Sequence, residues 1–304
     1  MNDDYQDALE KETTELVIDV VDRIQKLTQD KLIQRRAKLY DKEGEYVKAL
    51  EVRNNEIQED KKVLIVVATQ KNQTQWEESD EYIAINKIIY DNTFSHNSEV
   101  CCCVEVEVIF NNKSGLSKVY NEFMTPEYED YIICYIHDDV VLYDNHFYEK
   151  LINSHKIAPI VGLAGATKVN LPFSIDSPTS WGSLSIEKDE RGKNVKAHQS
   201  GFVMHVKGGK MWSSCFGLVP QKIKIFDGLF MSFDISKCLD KGFRFDEDFD
   251  FHHYDISASV IAMKLGLEAV TSDILVKHKS VGVMDATWVV SHRKFVDKYK
   301  GFLG

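Results

Sequence analysis

Basic side chains are in the minority in this chain of 304 residues, where 37 Lys and Arg stand against 48 Asp and Glu for a formal charge of −11. A nonspecific polyanion binder needs clustered Lys and Arg to neutralise phosphates, so no nucleic-acid partner is expected. Proline (5) and glycine (16) are too scarce for a low-complexity or collagen-like polymer, while 43% hydrophobic and 11% aromatic residues can build a sizeable core. No uncharged apolar run reaches the ~18 residues of a membrane span, so no transmembrane segment is expected. The opening residues, MNDDYQDALEKE, lack the basic-then-apolar order of a signal peptide. The expected location is the cytoplasm, with any membrane contact peripheral and made through a partner.

Residues 1–60 lack Pro, Phe, Trp, His and Cys altogether and hold one glycine, Gly44, yet they carry 16 acidic and 10 basic side chains. The chain therefore divides near Asp60 into a charged helical extension (1–60) and a body (61–304) long enough for one large domain. In the extension, apolar residues recur at helical spacing with slips (Val17, Val20, Val21, Ile24, Leu27, Leu32, Leu39, Tyr46, Val47, Leu50, Ile57). Two roles are open for it: packing on the body, or a coiled coil that makes a homo-oligomer. The cysteines, Cys101, Cys102, Cys103, Cys134, Cys215 and Cys238, have no zinc-site or disulfide spacing. They are expected to be structural.

From residue 61 the pattern alternates between strands and helices. Val63 to Ala68 (VLIVVA) is a nearly continuous apolar run, as in a strand buried on both faces of a parallel sheet. Val104 to Phe110 (VEVEVIF) alternates, Ser114 to Met124 has helical spacing, and Tyr131 to Ile136 (YIICYI) is apolar again. Strand, helix, strand in this order predicts parallel pairing through right-handed crossovers, and an α/β fold. Ile160 to Ala166, Ile223 to Phe233 and Ile274 to Val276 can extend the sheet, and Lys188 to Asn194 reads as a turn between two short strands. Gly208-Gly209 is a turn signal and not a phosphate loop. Neither Gly-x-Ser-x-Gly nor a Walker loop is present.

In open α/β sheets ligands collect at the carboxyl ends of the strands. The segments that follow these strands are polar: Thr69-Gln70-Lys71-Asn72, Asn111 to Gly115, and His137-Asp138-Asp139. Two adjacent carboxylates leaving an apolar strand are costly unless something cationic offsets them. Oxygen ligands of this kind suit Mg²⁺ or Mn²⁺, which in turn hold a diphosphate; the same pair can also simply end a strand as a turn or cap.

The runs Asn112 to Asn121 and Tyr135-Ile136-His137-Asp138-Asp139-Val140 resemble nucleotide-sugar-dependent glycosyltransferases of the GT-A fold, and more closely the inverting family 2 and its glycosyltransferase-like relatives, whose metal motif often reads His-Asp-Asp-Val. Phe226-Asp227-Gly228-Leu229-Phe230-Met231 resembles the family's acceptor-side Asp-Gly segment. Phe245-Asp246-Glu247 with Phe251-His252-His253-Tyr254-Asp255-Ile256 resembles the segment that carries its catalytic base. His278-Lys279-Ser280-Val281-Gly282 resembles its late His-x-Ser-x-Gly element. Five elements in the right order, spanning roughly residues 62–282, are far more specific than any one.

The resemblance implies a GT-A fold (Rossmann-like, with a mostly parallel central sheet flanked by helices) and a metal-dependent inverting glycosyltransferase. It implies that Asp139 and His278 hold Mn²⁺ or Mg²⁺, that Asp138 contacts the ribose or assists the metal, and that Ala68, Thr69, Gln70, Asn111, Asn112 and Ser117 line the nucleotide. Asp255 becomes the candidate general base, and Trp181, Asp227 and Gly228 face the acceptor, with Trp212 nearby as a second stacking surface. The donor is expected to be a nucleotide sugar, UDP-linked, and the acceptor a hydroxyl of a glycan, a lipid-linked sugar or a protein, as in polysaccharide biosynthesis.

Two departures stand out. Many relatives have an acidic residue after the second strand, where this chain has Asn111 and Asn112, which leaves the nucleotide base open. The family writes Glu-Asp and a second Asp two residues later, where this chain has Tyr254-Asp255-Ile256-Ser257. Asp246, Glu247, Asp248 and Asp250 compete nearby, and Asp255 can also be read as the N-cap of the following helix. A degenerate sugar-nucleotide-binding scaffold and a sugar nucleotidyltransferase are the alternatives; the latter expects a Gly-rich basic loop after the first strand, where ATQKNQTQW stands.

Overall fold

In the computed structural model the run VLIVVA becomes β1 (Lys62–Ala68), and its two faces meet two different cores: Leu64 and Val66 point into one, Val63, Ile65 and Val67 into the other. A strand with no solvent face has no reason to alternate, which is why the sequence reads as a continuous apolar run. The structure describes residues 61–94, 104–188, 190–195, 198–280 and 284–302. The expectations for residues 1–60 and for Cys101, Cys102 and Cys103 fall outside these; Cys134 and Cys238 are buried, while Cys215 is exposed.

After β1 come α1 (Gln73–Glu77), α2 (Asp80–Phe94), β2 (Val104–Ile109), α3 (Leu116–Phe123), β3 (Tyr131–Ile136), β4 (Val140–Leu142), α4 (Phe147–His155), β5 (Ile160–Gly162), β6 (Ala164–Ala166), α5 (Trp181–Leu184), β7 (Glu187–Lys188) and β8 (Asn194–Val195). The rest of the chain adds β9 (Gln199–Lys207), β10 (Lys210–Gly217), β11 (Lys222–Ile223), β12 (Ile225–Phe226), β13 (Phe230–Asp234), α6 (Ile235–Asp240), α7 (Tyr254–Lys264), β14 (Ala269–Thr271), β15 (Val276–His278) and α8 (Ala286–Tyr299). None of the described helices is long and apolar enough to cross a membrane.

The main sheet has seven strands in the order β11-β14-β5-β13-β3-β1-β2. Strands β1, β2 and β3 pair in parallel, as the strand-helix-strand order predicts. Strands β5 and β14 run the same way, and β13 and β11 run against them. The alternation in VEVEVIF has its explanation here, because β2 is the edge strand and keeps one face partly open.

A second sheet has the order β12-β6-β9-β15-β4, with β10 paired on β9. Two expectations change with it. The run Ile160 to Ala166 is not one strand but two, β5 in the main sheet and β6 in the second; Ile274 to Val276 leads into β15, which also belongs to the second sheet. The hairpin between β9 and β10 turns on Gly208 (φ 58°) and Gly209 (φ 74°), a pair of left-handed residues that glycine adopts without strain. The pair β7–β8 forms the small expected hairpin.

Between the main sheet and α3, α6, α7 and α8 lies an aromatic layer centred on Phe233, whose ring centroid is 5.2 Å from Phe243, 5.3 Å from Phe245 and 5.8 Å from Tyr135. Rings of this size dominate core energetics and lock one another edge to face. Phe233→Ala is expected to cost about 3–5 kcal/mol, while Phe233→Leu costs much less. Urea unfolding of the two variants checks this, and a loss under ~1 kcal/mol for the alanine variant would show that the layer is not a keystone of the core.

Candidate active site

Strand pairing assembles the site from segments far apart in sequence. Strand β3 ends at Ile136 and releases His137-Asp138-Asp139 at the carboxyl edge of the sheet. Strand β13 runs antiparallel to it with Phe230 opposite Ile136, so the turn that precedes β13, Asp227-Gly228-Leu229, arrives at that same edge. The His137 N–H donates to Leu229 O at 3.1 Å and fastens the two. Strand β4 then pairs with β15 so that Val140 faces His278, and the Lys279 N–H donates to Asp139 O at 2.9 Å. His278 is delivered beside Asp139 by backbone register alone.

His137, Asp139 and His278 each offer a ligand atom, all within 4.8 Å of one another. His278 Nε2 lies 3.3 Å from Asp139 Oδ1, an ion pair without the alignment of a hydrogen bond, so Asp139 Oδ1 remains a buried acceptor with no donor. A buried oxygen left in this state needs a cation or a ligand. Burial works to raise the Asp139 pKa, but the His278 contact outweighs it and holds the carboxyl well below the usual range. Burial likewise works to lower His278, and Asp139 reverses this, leaving the imidazole above its ordinary value. His137 is pushed down, chiefly by burial. Two imidazoles and a carboxylate gathered around a buried oxygen that lacks a donor are a ligand set that fits a divalent ion.

Beyond the ion cluster, Gly228 sits between two side chains from the first turn of α7. Its N–H donates to Asp255 Oδ2 at 3.1 Å, and its carbonyl accepts from the Tyr254 hydroxyl at 2.9 Å. A Cβ on Gly228 would lie 2.1 Å from Tyr254 Oη, so glycine is required by close approach. Asp255 Oδ1 accepts from the Ile256 N–H at 2.8 Å. Burial first, and then the charge of Asp227, push the Asp255 carboxyl up to about 7. Asp227 itself accepts from Trp181 Nε1 at 2.5 Å and from the Leu229 N–H at 2.9 Å. Trp181 opens the short helix α5 and is braced edge-on by Phe216. Trp212 is half-exposed and stacks on His205 at 5.4 Å.

Asp255 is not the cap of α7. That position belongs to His253, held at φ 62°, and Asp255 lies in the first turn, where the helix dipole favours a negative group. His253 is locked by Thr179 Oγ1 at 2.7 Å and Ser291 Oγ at 2.9 Å, tying the start of α7 to the segment before Trp181 and to α8. Asp246, Glu247 and Asp248 have partners elsewhere. Lys298 pairs with Asp246 and Asp248 at 2.7 Å each, and the Tyr299 hydroxyl donates to Asp246 Oδ2 at 2.5 Å. Glu247 accepts from Asn121 Nδ2 at 2.8 Å, and Asp250 contributes its backbone carbonyl to the Leu116 N–H.

The nucleotide-side residues separate into two groups. Gln70 and Asn111 are exposed, while Ala68, Asn112 and Asp138 are half-buried at the ends of β1, β2 and β3. Thr69 is buried and its hydroxyl donates to Asp138 Oδ2 at 2.5 Å, so it orients Asp138 instead of lining a surface. The amide of Asn112 closes its own loop onto Ser114. Backbone bonds Asn112 N–H to Thr69 O (2.8 Å) and Asn111 N–H to Lys71 O (3.0 Å) hold the two loops together. Ser117 does not belong with them. It is fully buried in α3 and donates to Phe249 O at 2.8 Å, fixing the loop before α7.

A family model described as "Glycosyltransferase like family" matches residues 66–301, which includes every residue of this site. The chain belongs to that family. No curated protein sequence matches the chain. Among solved structures, A197 from STIV is similar at 10% identity and a TM-score of 0.37, over 73% of this chain and 96% of its own. The 4-diphosphocytidyl-2C-methyl-D-erythritol synthase of Anaerococcus prevotii DSM 20548 is similar at 8% identity and a TM-score of 0.30, over 79% of this chain and 100% of its own. Likeness at this level carries nothing about activity.

Within this glycosyltransferase-like protein the mixed sheet flanked by helices is a GT-A-like arrangement. Two side chains join the site only through the tertiary structure. His137 opens His-Asp-Asp-Val, but the β4–β15 pairing is what brings it beside His278, and no local motif shows that pairing. Tyr254 stands out in the sequence only as a departure from Glu, whereas its hydroxyl bridges His137 Nε2 (2.5 Å) and Gly228 O. Burial keeps the Tyr254 phenol well above its ordinary pKa, so it stays a donor. Ser117→Ala is expected to cost about 1 kcal/mol in urea unfolding, the worth of one buried hydrogen bond, and to leave nucleoside diphosphate binding unchanged by calorimetry. A large loss of nucleotide affinity in a folded variant would return Ser117 to the donor pocket.

Proposed function

We propose that this protein is a metal-dependent inverting glycosyltransferase that moves a sugar from a nucleotide sugar, UDP-linked, to a hydroxyl of a glycan, a lipid-linked sugar or a protein, working in the cytoplasm or at a membrane surface. The observation that carries the reading is the placement of two carboxylate environments on either side of the Asp227-Gly228 turn. Asp139 stays ionised between two imidazoles, and Asp255 is raised toward neutrality on the acceptor side.

An inverting transfer is a single in-line displacement, with the acceptor hydroxyl attacking the anomeric carbon as the diphosphate leaves from the opposite face. His137, Asp139 and His278 would hold a divalent cation, which neutralises charge on the leaving diphosphate when bound. Asp138, steadied by Thr69, would meet the ribose. Asp255 takes the proton of the acceptor hydroxyl as the new bond forms, and a carboxylate held near 7 is basic enough to do so while still ionised at neutral pH. The Gly228 N–H bond keeps it oriented, and Trp181 offers an aromatic face to the acceptor sugar.

Two variants separate these roles. Asp139→Ala is expected to abolish Mn²⁺-dependent binding of a nucleoside diphosphate, measured by thermal shift across UDP, GDP, CDP and dTDP with and without the ion. Asp255→Asn is expected to keep that binding and lower transfer by ~10²–10⁴-fold. Full metal-dependent transfer by the Asp139 variant would sink the ion assignment.

The pH dependence has a fixed sign. Asp255 is raised, so it is protonated and inactive as a base below about 7, and the transfer rate is expected to fall as pH drops through that value. A rate flat between pH 5.5 and 8.5 would remove Asp255 from the role.

A further inference from the structure

The Tyr254 hydroxyl gives the ion cluster a side-chain link to the turn that holds Asp255, beside the backbone bond from the His137 N–H to Leu229 O. The direction of that link follows from elementary chemistry. Gly228 O is a carbonyl and only accepts, so the single proton of the Tyr254 hydroxyl goes to it over 2.9 Å. The same oxygen then has only a lone pair to offer His137 Nε2, 2.5 Å away, so His137 carries its proton on Nε2. A neutral imidazole with Nε2–H has its free lone pair on Nδ1. The chain Gly228 O, Tyr254 OH, His137 Nε2–H therefore selects one tautomer and one ring orientation, which is what a hydrogen bond behind a ligating histidine does in metal sites.

Resting on the divalent-ion reading above, we propose that Tyr254 is a positioning residue that makes His137 a third ligand through Nδ1, completing a two-imidazole, one-carboxylate site that takes a transition-metal ion such as Mn²⁺ in preference to Mg²⁺. Imidazole nitrogen suits first-row transition ions, whereas Mg²⁺ prefers an all-oxygen shell and keeps its waters. Asp139 Oδ1, buried and without a donor, supplies the oxygen. His278, fixed by the β4–β15 register, supplies the second nitrogen. The link also joins both ends of the reaction. Tyr254 and Asp255 are consecutive in the first turn of α7, and each holds one side of the Gly228 peptide, so the orientation of His137 and that of the acceptor-side carboxylate share a single rigid turn.

The test is a Mn²⁺ titration of the full chain followed by electron paramagnetic resonance, with pulsed detection of ¹⁴N coupled to the ion, on wild type, His137→Gln and Tyr254→Phe. Wild type is expected to show two imidazole nitrogens and to bind Mn²⁺ at least tenfold more tightly than Mg²⁺ in competition. His137→Gln is expected to show one nitrogen, and Tyr254→Phe to weaken Mn²⁺ binding by about 10- to 100-fold, the usual effect of losing a partner behind a ligand. Circular dichroism melts of each variant separate this from unfolding, and the wild-type nitrogen count stands even if a variant fails to fold.

A single coupled imidazole in wild type, unchanged affinity in a folded Tyr254→Phe, or equal Mg²⁺ and Mn²⁺ affinity overturns the inference while leaving an ion site in place. Absence of any Mn²⁺ binding to wild type overturns the ion reading itself.

Discussion

The antiparallel insertion of β13 between β3 and β5 is the constraint on which the rest of the site depends. A parallel strand in that place would bring its carboxyl end to the functional edge and send Asp227-Gly228 to the far side of the sheet. Because β13 runs backwards, its lead-in turn meets His137 directly, and Phe230 pairs with Ile136 at the point where β3 ends. The strand is buried along its whole length, and Phe233 within it anchors the aromatic layer that carries α7. The same pairing that closes the core thus sets where the His137, Asp139 and His278 cluster stands relative to Asp255.

Charge at this edge is sorted by environment. Asp139 is depressed by the imidazole beside it against the opposing effect of burial, Asp255 is raised by burial and by Asp227, and Asp246 and Asp248 of the 245–250 loop are matched to Lys294, Lys298 and Tyr299 on α8. Two carboxylates whose environments push them apart are suited to two roles, one permanently charged and one exchanging a proton near neutral pH.

The first turn of α7 is held in place by its own side chains. Tyr254 supplies a hydroxyl that joins His137 to Gly228. Ser257 is buried and donates to Tyr254 O, so the turn closes on itself. The His253 network, with Thr179 and Ser291 on its two nitrogens, pins that turn from behind. A left-handed histidine at a helix start is strained and persists only where its surroundings over-determine it.

The amino-acid order determined the alternation of strands and helices, the parallel pairing of β1, β2 and β3, the polar strand ends, and the candidate residues Asp139, Asp255 and His278, because periodicity and local motif are properties of neighbouring residues. It does not show the burial of Ser117 within its helix, or the contact between His137 and Tyr254, which lie 117 residues apart. Tertiary structure alone decided that β13 runs backwards, that β15 leaves the main sheet to pair with β4, and that one carboxylate is depressed while another is raised. Those outcomes rest on strand register and burial, which are set by contacts between distant segments and which no local pattern encodes.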